Sequence, residues 1–85
     1  MTEAIKDMIE YCAARGDLEF DLDGVRWGIC SSAEGRASTW YFCGQDNKPI
    51  DEWGEFSSVL EIFNAKVFNG KSLIDLFDTA DFSMN

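Results

Sequence analysis

The chain has 85 residues, with sixteen acids against seven bases, no histidine and a net charge of -9. That sign opposes direct binding to DNA, RNA or an anionic membrane, where attraction to phosphate dominates. A chain of this length has room for one core and buries roughly 60–65% of its unfolded surface, so 1–85 reads as a single small domain; its 46% hydrophobic and 14% aromatic content argues against disorder.

The first element is helical. Ile5, Met8, Ile9 and Cys12 recur at i, i+3, i+4 and i+7 and predict a helix capped by Thr2 and running to about Arg15. Gly16 supplies the left-handed stop. Cys12 lies on the apolar stripe and reads as core. Residues 17–24, DLEFDLDG, then alternate acid and apolar side chains, the period of a strand. Asp23-Gly24 fits a two-residue hairpin turn. That turn sets Leu22 against Val25, Phe20 against Trp27 and Leu18 against Ile29 on one face. On the other face Asp21 meets Arg26, Glu19 meets Gly28 and Asp17 meets Cys30. A slip of one residue would scramble both faces.

Residues 31–37, SSAEGRA, are small and polar and read as a connecting loop, followed by a third strand over 38–44, STWYFCG. Trp40 and Phe42 then share the core face, and Thr39, Tyr41 and Cys43 join the acids outside. QDNKPIDEWGE, 45–55, reads as a loop with Trp53 folded back or exposed. Val59, Leu60, Phe63 and Val67 predict a helix capped by Ser57 or Ser58, broken at Asn69-Gly70. Ser72 is the expected cap of a last short helix with Leu73, Leu76, Phe77 and Ala80 inward, and the tail DFSMN is expected to fray. The fold expected is α+β: a three-stranded antiparallel meander with one N-terminal and two C-terminal helices, α-β-β-β-α-α.

The inventory for catalysis is thin. Without histidine there is no usual general base or hydrolase triad, and no phosphate-binding loop or nucleophile-elbow motif occurs. Cys12, Cys30 and Cys43 lack the close ligand spacing of structural zinc sites. Cys30 and Cys43 could meet across adjacent strands as a metal or redox pair, but two ordinary thiols are the expected reading. Glu19 to Gly24 imitates the opening of a calcium-binding EF-hand loop, yet the twelfth position is Cys30, where a bidentate glutamate is needed, and the flanks read as strands. No enzyme, cofactor or metal is expected. Three cysteines with no framework spacing fit a reducing compartment, and no apolar run of membrane-spanning length or basic secretory leader is present, so the expected setting is the cytoplasm.

Charge is unevenly spread. Residues 17–23 carry -4 through Asp17, Glu19, Asp21 and Asp23, and residues 46–62 carry -4 through Asp46, Asp51, Glu52, Glu55 and Glu61 against Lys48. Alternate residues of a strand stand about 6.5–7 Å apart, close to the spacing of successive phosphates along one DNA strand. A basic protein surface is therefore the expected partner, with Tyr41 and Trp53 as anchors beside the acids of the two blocks. The competing expectation is an interaction module whose acids serve only solubility.

A very small acidic chain with this order of elements and no catalytic apparatus resembles inhibitor proteins of phages and mobile elements, and in plan most resembles small anti-CRISPR proteins that mimic DNA. The run FSSVLEIFNAKVFNGKSLIDLFD is similar to the endings of small proteins of bacterial mobile elements. The resemblance implies a non-enzymatic inhibitor in the bacterial host cytoplasm, monomeric or a small homo-oligomer, blocking the basic DNA-binding channel of a defence effector.

Overall fold

The computed structural model describes residues 2–34 and 37–83. Helix α1 spans Glu3–Arg15; the Thr2 hydroxyl accepts from the Ile5 amide at 3.3 Å, and Gly16 closes the helix at φ 89°, its amide donating to the Cys12 carbonyl. Ile5, Met8 and Cys12 are buried along one stripe. Strands β1, Asp17–Leu22, and β2, Val25–Glu34, form the hairpin, with Asp23 and Gly24 both at positive φ, as this two-residue turn demands. Their register sets Leu22 against Val25, Phe20 against Trp27 and Leu18 against Ile29, the pairing read from the alternation.

The three-stranded meander with two C-terminal helices is corrected. The sheet has five antiparallel strands in the order β4-β3-β2-β1-β5, where β3 is Ala37–Cys43, β4 is Glu55–Phe56 and β5 is Asp81–Ser83. Among the described residues one short C-terminal helix forms, α2 over Val59–Asn64.

Each departure has a physical cause. Residues 31–34 are not loop: Ser31 pairs with Trp40 and Ser32 with Thr39. The Ser31 hydroxyl donates to the Gly16 carbonyl at 2.7 Å, fastening the end of α1 to β2. Small polar residues thus serve as strand because β3 supplies the pairing partners, a tertiary override of weak intrinsic preference. Residues 35–36 of the expected loop and 84–85 of the expected tail lie outside the described residues.

Ser58 caps α2 by accepting from the Glu61 amide, and the Glu61 carboxylate accepts from the Ser57 amide, a reciprocal cap. The helix stops at extended Ala65, before the predicted Val67, and Leu60 of the predicted inward stripe is exposed while Ile62 is fully buried. Ending there lets Phe68 drive inward. Its ring meets Phe20, Trp27, Phe42 and Trp53 at centroid distances of 5.2–6.3 Å, edge to face, an arrangement that adds to simple burial.

Ser72 and Asp75 make the expected cap, each accepting from the other's amide. The segment after it forms irregular turns rather than a helix, with Ile74 donating to the Phe63 carbonyl. Leu73 is fully buried, and Leu76, Phe77 and Ala80 pack on the core as expected. The chain then returns as β5 where fraying was expected. Phe82 pairs opposite Phe20 and lies near Phe63 and Phe77, so its aromatic burial holds the strand against β1.

The core sits between the two helices and one sheet face, with Phe20, Phe42, Phe63, Ile29, Ile62, Leu73 and Cys12 fully buried. Burying each of the large side chains contributes roughly 1.5–3 kcal/mol. The opposite sheet face carries the polar half of the alternation.

Candidate acidic face

Strand alternation places Asp17, Glu19 and Asp21 of β1 on the outer face, opposite Cys30, Gly28 and Arg26 of β2. The added edge strands widen it. Asp81 of β5 stands directly opposite Asp21, and Glu55 of β4 directly opposite Tyr41 of β3. A row therefore crosses four strands as Glu55, Tyr41, Cys30 and Asp17. Among the described side chains, five strand carboxylates face out against the guanidinium of Arg26.

That guanidinium organises the centre of the acid cluster. Arg26 Nε donates to Asp21 Oδ1 at 2.8 Å, Nη2 to Asp21 Oδ2 at 3.1 Å and Nη1 to Glu19 Oε2 at 2.7 Å. The geometry is the two-pronged fit of guanidinium to carboxylate. Hydrogen bonding to Asp21, then to Glu19, raises the Arg26 pKa above its ordinary value. Arg15, at the end of α1, reaches Asp17 at 3.5 Å. Three of the four acids of the opening stretch thus have an arginine partner, while Asp17 and Glu19 keep 61% and 58% of their side-chain surface exposed. The face is an acidic field with fixed geometry rather than a bare row of charge.

The segment after β3 completes it. Ile50 donates to the Phe42 carbonyl and Cys43 bridges Pro49, drawing the 44–50 loop alongside β3. Its tight turn, Gln45–Asn47, with Asp46 at φ 62°, brings Asp46 to a shallow hollow shared with Glu19, Arg26 and Gly28. A second turn, Asp51–Trp53, sets Asp51 beside Tyr41, Thr39 and Glu55 in a groove of about 270 Å³. Tyr41 is half-buried there, and burial raises its hydroxyl pKa above the ordinary tyrosine value.

The structure therefore brings together Asp17, Glu19, Asp21, Tyr41, Asp46, Asp51 and Glu55. Glu52 is exposed in the second turn. Two sequence-predicted residues lie elsewhere. Trp53 turns to the inner side, stacked on Trp27 at 5.2 Å and edge-on to Phe42, so it is a packing residue. Asp23, at the hairpin tip, borders a different groove of about 480 Å³, lined by apolar Leu22, Val25, Trp27, Phe68 and Leu76.

Sequence reasoning missed Asp81, Arg15 and the reach of Arg26 to Glu19, while the pairing of Arg26 with Asp21 is as expected. The signal for Asp81 was present: Asp-Phe-Ser repeats the acid-apolar alternation of β1 in three residues. Cys43 shares the outer face with the acids as expected, since its partner Gly28 stands opposite Glu19, but it is buried there, at 1% exposure. Among the described residues no group of three histidine, cysteine, aspartate or glutamate side chains is placed to hold a metal ion, and no helix is long and apolar enough to cross a membrane. Comparison of the chain with protein-family models, curated proteins and solved structures finds no match.

Proposed function

We propose that this chain is a non-enzymatic protein-binding domain whose acidic sheet face occupies the nucleic-acid-binding surface of a basic bacterial protein, acting as a competitor in the cytoplasm. The observation that carries the reading is the gathering of acids from both edges of the sheet on one face, with Cys30 and Tyr41 between them. Asp17, Glu19, Asp21, Asp81 and Glu55 come from three strands yet share one face, uncovered by either helix. Placing Asp21 opposite Asp81 costs stability through like-charge repulsion, a cost that a merely soluble surface has no need to bear.

The arginine pairs refine how such a face would work. Arg26 holds Glu19 and Asp21 in fixed positions, so two acceptors are ordered before a partner arrives and less side-chain freedom is lost on binding. Association would be steered by charge and would weaken as salt rises. The test is binding to a basic nucleic-acid-binding protein, with duplex DNA as competitor, for the wild type and for a variant with Asp17, Glu19 and Asp21 all changed to lysine. Unchanged binding by the variant would overturn the reading.

A second reading rests on the apolar groove at the hairpin tip, where Val25 is 42% exposed beside Trp27 and Leu76. A protein partner could bind there through apolar contact, leaving the acids to solubility. Such binding would persist in high salt and would be lost on changing Val25 to aspartate.

A further inference from the structure

We infer that Cys30 and Cys43 form a two-electron redox site in which a neutral peroxide converts the dithiol to a cross-strand disulfide. This inference does not rest on the docking reading above. The two residues occupy diagonal positions on adjacent strands, since Cys30 pairs with Tyr41 and Cys43 with Gly28. The right-handed twist of a sheet brings the residues of one diagonal together. Here the Cys43 thiol donates to the Cys30 sulfur across 2.8 Å. A disulfide bond is about 2.05 Å long, so closing it requires the sulfurs to approach by less than about 1 Å.

The pair is unequal in the way a sensor needs. Cys30 is half-buried and opens on a hollow of about 290 Å³ lined by Asp17, Glu19, Gly28, Tyr41 and Asn47. Cys43 is buried, so an oxidant meets Cys30 first and Cys43 is reached through it. Burial also pushes the Cys43 thiol up to about 12, which keeps it protonated until its neighbour is activated. The acidic rim disfavours anionic oxidants and leaves a small neutral peroxide as the suited reagent. Cys12 is fully buried in the core.

The chemistry balances in two steps. The Cys30 thiol ionises and its thiolate attacks hydrogen peroxide; an S–O bond forms, the O–O bond breaks and the departing hydroxide takes up the released proton as water, giving a sulfenic acid. Cys43 then attacks that sulfur; the S–S bond forms, the S–O bond breaks, and the hydroxyl departs as water with the Cys43 proton. Two thiols lose two electrons and one peroxide is reduced to two waters. A reducing cytoplasm returns the dithiol through thiol–disulfide exchange.

The experiment treats the reduced full-length protein with hydrogen peroxide, unfolds it under acid, counts free thiols and maps tryptic peptides without reduction. The map separates the three cysteines: Cys12 falls in 7–15, Cys30 in 27–36 and Cys43 in 37–66, because Pro49 protects the bond after Lys48. The expected result is a fall from three free thiols to one, with 27–36 joined to 37–66 and Cys12 free. Cys43→Ser is expected to accumulate a dimedone-reactive sulfenic acid on Cys30, at least ten-fold above wild type. Should that variant fail to fold, Cys30→Ser serves, and is expected to leave Cys43 unoxidised. Retention of three thiols, a link through Cys12, or over-oxidation of Cys30 with Cys43 still free would overturn the inference.

Discussion

Arg26 grips Asp21 through both carboxylate oxygens and holds Glu19 with its remaining nitrogen. One side chain thereby fixes two of the acids that face a partner and offsets part of their repulsion, including that between Asp21 and Asp81. Changing Arg26 to alanine is expected to lower stability slightly at low salt, since the pairs are solvent-exposed, with the deficit closing as salt screens the acids. Urea denaturation at low and high ionic strength checks this. The same variant is expected to bind a basic partner more tightly, because it presents an uncompensated field. Equal or weaker binding would show that ordering outweighs charge at this position.

Phe68 is the meeting point of Phe20, Trp27, Phe42 and Trp53. Its replacement by alanine is expected to cost about 2–3 kcal/mol, somewhat below the range for fully buried phenylalanine because the ring is half-buried. Denaturant midpoints measure the loss. A change in tryptophan emission is expected alongside it, since both Trp27 and Trp53 lose an edge-on neighbour.

β5 offers a direct test of the five-stranded sheet. Changing Phe82 to alanine removes a ring that meets Phe20, Phe63 and Phe77 and is expected to cost about 2 kcal/mol. It also loosens the cover on the outer edge of β1, a site for unwanted strand pairing. Faster amide exchange at Phe20 and a raised tendency to aggregate are the accompanying signs. A tail that merely frayed would give no change in any of these measurements.

Acid is expected to destabilise the C-terminal third first. The Ser57 amide holds the Glu61 pKa below its ordinary 4.5, and the Ser72 amide, with Lys66, holds Asp75 below its ordinary 3.8. A carboxyl whose folded-state pKa is depressed stabilises the fold above its unfolded pKa and loses that contribution as pH falls through the folded value. Stability is therefore flat in this respect above about pH 4.5 and declines below it, first through Glu61 and then through Asp75. Chemical-shift titration of the two carboxyls, followed alongside thermal melts, checks the order.

The hairpin was legible because both halves of its pattern agree: Leu18, Phe20 and Leu22 need one face, and Asp17, Glu19 and Asp21 the other. The first helix was legible from its cap, its stripe and Gly16. Ser31 to Glu34 were not, because their strand state comes from β3 and from the Ser31 bond to Gly16, neither of which is local. The second helix was read too long because Phe68 leaves the helical path to fill the aromatic cluster. At the site, the alternation identified the β1 acids and Tyr41. It could not foresee that β4 and β5 would add Glu55 and Asp81 at the same face, or that Trp53 would be taken by Trp27.

The most direct measurement of the central claim uses the wild type and the Asp17, Glu19, Asp21 triple-lysine variant, immobilised side by side and exposed to a bacterial lysate with and without duplex DNA. The wild type is expected to retain a basic protein that added DNA or high salt releases, and the variant, folded by circular dichroism, to retain none. Equal capture by both chains, unaffected by DNA, would contradict the claim.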